Sequence, residues 1–88
     1  YLNAMGLRLA IIPGHARDQM ARRQISEDAL RSVLIRPDII IEVRPGRVVA
    51  QAMDGKYLLR VFIDIDRSPP EVVTAYRTSK VDRYRNRP

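Results

Sequence analysis

Eighty-eight residues make one domain with a single core, and no apolar run approaches the ~18 residues that a membrane span needs. The absence of cysteine excludes disulfides and thiolate metal sites; together with a start, Tyr1 to Ala10, that lacks the pattern of a secretory leader, it leads us to expect a cytoplasmic protein. A formal charge of +6 and a pI near 10.5 point to a polyanionic or acidic partner.

In chain order, Leu7-Arg8-Leu9-Ala10-Ile11-Ile12 reads as a short edge strand that stops at Pro13-Gly14. From His15, the spacing of Ala16, Met20 and Ala21 against Arg17, Asp18, Arg22 and Arg23 predicts a helix ending near Gln24. A second helix starts at Ser26, an N-cap. Glu27 and Asp28 lie in its first turn, where the macrodipole favours negative charge, and Ile25 is placed to staple onto Leu30. Leu30, Val33 and Leu34 form its buried stripe, and Pro37 ends it by forcing Arg36 out of helical angles.

The remainder reads as strand. Asp38 to Val43 leads into the turn Arg44-Pro45-Gly46-Arg47, Val48 to Met53 returns, and Asp54-Gly55 is a two-residue hairpin signal. Lys56 to Ile65 is the longest strand, with Tyr57, Leu59, Val61 and Ile63 on the core face and Lys56, Leu58, Arg60, Phe62 and Asp64 on the other. After the loop Asp66 to Pro70 comes a central or near-central strand beginning at Val72. In it Val73 and Ala75 face the core, while Thr74 and Tyr76 share the opposite face. The expected fold is α+β: two N-terminal helices packed on one face of a four-stranded antiparallel sheet, in the order β-α-α-β-β-β. One domain spans residues 7–84, a basic tail follows at 85–88, and the second face of the sheet is left open.

Arg77 to Arg87 holds five cations and one acid, +4 of the whole chain's +6, beside a sheet face that bears hydroxyls. His15 is the one histidine, and so the one side chain whose ordinary pKa suits proton transfer near neutrality. Arg60 interrupts an apolar strand. It either grips a phosphate with its guanidinium fork or pairs across strands with Glu42, Asp64 or Glu71. Thr74 and Tyr76 are good strand formers, and an adjoining antiparallel strand would bring Arg60 beside them. His15, Arg60, Thr74 and Tyr76 are chemically sufficient for metal-independent RNA cleavage. Imidazole serves the proton steps, each typically worth ~100 to 10,000-fold. Guanidinium stabilises phosphorane charge, and tyrosine stacks on a base or bonds a phosphate oxygen. Arg22 and Arg23 on the first helix, with Arg77, Lys80 and Arg83 near the end, extend a phosphate track. Asp64-Ile65-Asp66 is the one metal alternative, and an i, i+2 pair turning into a loop is usually just solvated, so neither metal nor cofactor is expected.

The run His15-Ala16-Arg17-Asp18-Gln19-Met20-Ala21-Arg22-Arg23-Gln24-Ile25-Ser26, then Pro37-Asp38, then Val72-Val73-Thr74-Ala75-Tyr76, resembles the small bacterial domain-of-unknown-function family 4258. The resemblance runs from about Leu7 to Tyr84, with sparse motif positions at His15, Arg22 or Arg23, Arg60, Thr74 and Tyr76. It implies a fold similar to the RelE, ParE and BrnT toxins and to the barnase-like and colicin-like ribonucleases, with a concave sheet face that meets RNA. On that likeness His15 is the acid or base, Arg60 the charge stabiliser, and Thr74 and Tyr76 the positioning pair. Lys80 assists, and a cognate inhibitor protein is a second partner. Two readings stand at this stage: a toxin-type endoribonuclease acting through the 2′-hydroxyl, and a noncatalytic basic module that docks on nucleic acid or on an acidic protein.

Overall fold

The computed structural model describes residues 4–85. Helices α1 (Ala4–Leu7), α2 (Gly14–Arg22) and α3 (Glu27–Ile35) precede strands β1 (Ile39–Arg44), β2 (Arg47–Asp54), β3 (Tyr57–Asp64) and β4 (Glu71–Thr78), and a short helix α4 (Val81–Arg85) follows. The strands form one antiparallel meander in the spatial order β1-β2-β3-β4. Among the described residues no helix is long and apolar enough to cross a membrane.

The expected order β-α-α-β-β-β is therefore corrected: α1, α2 and α3 come first, all four strands follow them, and α4 comes after the strands. Residues 7–12 are not a strand of the sheet. Leu7 ends α1, and Ile11 adds one isolated parallel bridge to Glu71. The physical reason is burial. Leu7, Ala10 and Ile12 are buried while Leu9 and Ile11 are exposed, so the segment does not bury every second residue as a half-buried strand would. The four strands of the sheet are those expected from Asp38 onward, beginning with Ile39–Arg44.

The two long helices form where their local chemistry places them. In α3, the Ser26 hydroxyl accepts from the Ala29 N–H at 3.0 Å, Glu27 and Asp28 occupy the first turn, and Leu30, Val33 and Leu34 are buried. The helix stops at Arg36, which has left helical angles (φ −133°, ψ 66°) ahead of Pro37. Helix α2 ends in a left-handed residue, Gln24 at φ 56°, with the Gln24 N–H on the Ala21 carbonyl and the Ile25 N–H on the Met20 carbonyl. That double bond and the burial of both Ile25 and Met20 make a Schellman cap.

The core lies between these helices and one face of the sheet. Ala16, Met20, Leu30, Val33 and Leu34 meet Val48, Ala50, Leu59, Val61, Ile63, Val72 and Ala75. On β4 the core residues are Val72 and Ala75, not the expected Val73 and Ala75. A register shift explains this: Phe62 stands opposite Thr74 but Ile63 opposite Val72, so Val73 is an extra residue in the strand. The far face is not wholly open. Val49, Gln51 and Leu58 are buried on it, and α4 folds over part of it. Residues 86–88 of the expected basic tail, and the side chain of Arg85, lie outside the described residues.

The β1–β2 turn depends on Gly46. Its φ is +86°, and an added Cβ would lie 3.0 Å from the Asp66 Oδ2, beside the bond from the Ile65 N–H to the Gly46 carbonyl. Gly46→Ala is expected to lower unfolding stability by more than about 1 kcal/mol, measured by urea denaturation.

Candidate functional site

Three strands bring one residue each to a line across the far face of the sheet. Gln51 of β2 is opposite Arg60 of β3, and Arg60 is opposite Tyr76 of β4. The Arg60 Nε donates to the Gln51 Oε1 at 2.9 Å, and its Nη1 donates to the Tyr76 hydroxyl at 2.5 Å. Gln51, fully buried, uses its Nε2 to donate to the Tyr84 carbonyl of α4 at 3.2 Å. The guanidinium is thus held from two sides by neutral groups.

Aromatic rings surround it. The Arg60 Cζ lies 4.1 Å from the ring centroid of Tyr84, 5.4 Å from that of Phe62 and 5.7 Å from that of Tyr76. Phe62 and Tyr76 are themselves stacked, with centroids 6.0 Å apart and planes 24° from parallel. Cation–π contacts attract the guanidinium to the ring faces without neutralising it.

Among the described residues no carboxylate pairs with Arg60. Of its candidate cross-strand partners, Asp64 is engaged by Arg47 and Arg67, Glu71 by Arg67, and Glu42 stands opposite Val48 in register with the core-facing residues. A partly buried cation left without a counter-charge favours an anion from outside, and the N–H groups not used by Gln51 and Tyr76 are available to bond it.

The residues expected to form a catalytic quartet are not gathered in one place. His15 is exposed in the first turn of α2, in the layer packed on the Leu59, Val61 and Ile63 face, whereas Arg60 and Tyr76 are on the opposite face. The Ile11 to Glu71 bridge sets the start of α2 beside the start of β4, at the far end of the strand from Tyr76. Thr74 is opposite Phe62 in register, but its hydroxyl donates to the Gln19 Oε1 at 2.5 Å and accepts from the Arg23 Nη1 at 3.0 Å, so it is tied to α2. Arg60 and Tyr76 alone are in contact.

The expected phosphate track divides similarly. Arg23 donates to the Ala75 carbonyl at 2.8 Å, and Arg77 donates to the Arg23 and Gln24 carbonyls and to Asp54, so both tie the end of α2 to the sheet. Arg22, Lys80 and Arg83 are exposed and form no ion pair among the described residues; the Arg83 Cζ lies 5.8 Å from the Tyr84 ring centroid. Asp64 and Asp66 are both engaged by arginines. Asp64 accepts from the Arg47 Nε at 2.6 Å and Nη2 at 3.1 Å, and Asp66 accepts from Arg67. Among the described residues no group of three potential ligands is present.

Sequence reasoning missed Gln51, Phe62 and Tyr84 as members of the site. Phe62 was within reach, because it follows Arg60 on the same face of β3; Gln51 was not, because the loop is Gly55-Lys56, whereas an Asp54-Gly55 loop would set Gln51 opposite Leu58. Tyr84 joins only because α4 turns back over the sheet.

A family model described as domain of unknown function (DUF4258) matches residues 12–77. No curated protein and no solved structure matches the chain at a significant level.

The Asp64 carboxyl is held below the ordinary carboxylate range, chiefly by the hydrogen bonds from Arg47, with the charges of Arg47, Arg67 and Arg44 adding to the effect. A carboxyl depressed in the folded state stabilises it above the unfolded pKa, and that contribution is lost as pH falls through the folded value. The stability deficit of Asp64→Asn is therefore expected to be widest near neutrality and to shrink once pH drops below about 4, read from urea midpoints across that range.

Proposed function

The chain belongs to the DUF4258 family of domains of unknown function, and from that footing and the site's geometry we propose that it is a nucleic-acid-binding module. It takes single-stranded nucleic acid, with RNA the expected form, on the sheet face centred on Arg60. One observation carries this reading: a partly buried guanidinium with no carboxylate partner among the described residues, oriented by Gln51 and Tyr76 and ringed by aromatic side chains.

Each part has a chemical counterpart in a single strand. The guanidinium bonds a phosphate in a charge-assisted way, and exposed aromatic or guanidinium planes stack on unpaired bases at ~1–3 kcal/mol per base. Duplex bases are already stacked on one another and offer no such faces. The exposed cations Arg22, Lys80 and Arg83 add counterion release, which draws any polyanion and weakens with salt.

Metal-independent RNA cleavage of the toxin type is the second reading. The contact between Arg60 and Tyr76 favours it, since the two together would take up the charge of a phosphorane. It ranks second because the one histidine lies on the other side of the sheet, and the proton steps then lack their evident donor.

Both readings are tested on one sample. A labelled single-stranded oligoribonucleotide and its DNA counterpart are titrated with the full chain and with Arg60→Ala, with fluorescence anisotropy as the readout. The variant is expected to bind at least about tenfold more weakly, and the slope of log K against log salt to become shallower by about 0.7. Equal affinity of the two proteins would sink the assignment. The same mixtures, incubated in EDTA and run on a denaturing gel, are expected to return full-length RNA. Fragments that disappear in Arg60→Ala would instead establish the cleavage reading.

A further inference from the structure

The closest ring to the Arg60 guanidinium belongs to Tyr84, at 4.1 Å, in the position a stacked nucleobase would take. The same residue's carbonyl occupies the buried Gln51 amide. Helix α4 is five residues long, too short to be stable on its own, so it keeps its place through contacts with the sheet. It is joined to β4 through Ser79 and Lys80, both exposed, where the Lys80 N–H turns onto the Thr78 hydroxyl. Gln51, Arg60, Phe62 and Tyr76 all lie within the residues that match the family, whereas α4 lies beyond them.

We propose that α4 is a built-in competitor. Tyr84 fills the base-stacking position on Arg60, and a single strand binding there displaces the helix from the sheet. The inference rests on the nucleic-acid-binding reading of this face. Its logic is exclusion: one face of a guanidinium accepts one stacked ring, so tyrosine and base compete for it. Displacement also frees the Gln51 Nε2 to donate to a base edge or a phosphate oxygen.

Tyr84→Ala removes the ring and leaves every charge of the chain in place. Its affinity for an oligouridylate is expected to rise about three- to tenfold over the unaltered chain, from loss of the competing cation–π contact. A second measurement does not depend on the variant. Hydrogen exchange of the Val81–Arg85 amides in the unaltered chain is expected to speed up when the oligonucleotide is added to saturation. Unchanged or weaker binding by Tyr84→Ala, or amides in α4 that exchange at the same rate or more slowly, would overturn the proposal. Arg60→Ala separates the two levels. If binding depends on Arg60 but Tyr84→Ala gains nothing, only the competitor falls; if binding is indifferent to Arg60, the reading of the face falls with it.

Discussion

A strand buried against helices on one side must turn every second side chain to the other, and the rest of this molecule follows from how β3 meets that constraint. Leu59, Val61 and Ile63 enter the core, so Leu58, Arg60, Phe62 and Asp64 face away from it. Two of these are charged, and they are treated differently. Asp64, at the strand's end, is met by a bidentate Arg47, while Arg60, in the middle, is met by an amide and a phenol. The antiparallel register selects those partners, because it sets Gln51 and Tyr76 on either side of Arg60. A one-residue slip in either pairing would carry them to the core face.

Several of the described arginines serve as struts. Arg17 and Arg31 converge on Glu27, and Arg31 also donates to the Ala10 carbonyl at 2.6 Å, holding the N-terminal segment against α3. Arg17 is the main reason that the Glu27 carboxyl sits below its ordinary range. Arg23 and Arg77 clasp the end of α2 onto β4, where the helix's last carbonyls favour a cation. Such exposed pairs contribute little stability one by one, but they absorb cations that a count of charge alone would assign to a ligand. Arg60 differs from them in its surroundings: an amide, a phenol and three aromatic rings, with no carboxylate pairing it among the described residues.

Much of the scaffold was legible in the residues, and the failures have local causes. Ser26, Pro37 and the Leu30, Val33, Leu34 stripe define α3 because capping, proline geometry and helical periodicity all act within a few residues. The β1–β2 turn is written in Pro45-Gly46, but the second loop is Gly55-Lys56, one residue beyond the expected Asp54-Gly55, so the β2–β3 register was not legible from the turn. Leu7 to Ile12 misled because a short apolar run fits more than one backbone state, and contacts with α3 and β4 decide between them. Val73 misled because a single extra residue in a strand leaves no mark on the sequence pattern, yet it changes which residues reach the core.

What the chain by itself determined was the two long helices, the β1–β2 turn and the alternation that turns Arg60 away from the core. These depend on neighbours close along the backbone. Only the tertiary structure decided which side chains meet. It tied Thr74 to α2, kept His15 in the helical layer, buried Gln51 beneath α4 and laid Tyr84 on Arg60. Each of those contacts joins residues distant in the chain through packing and register, and local propensity carries no information about such meetings.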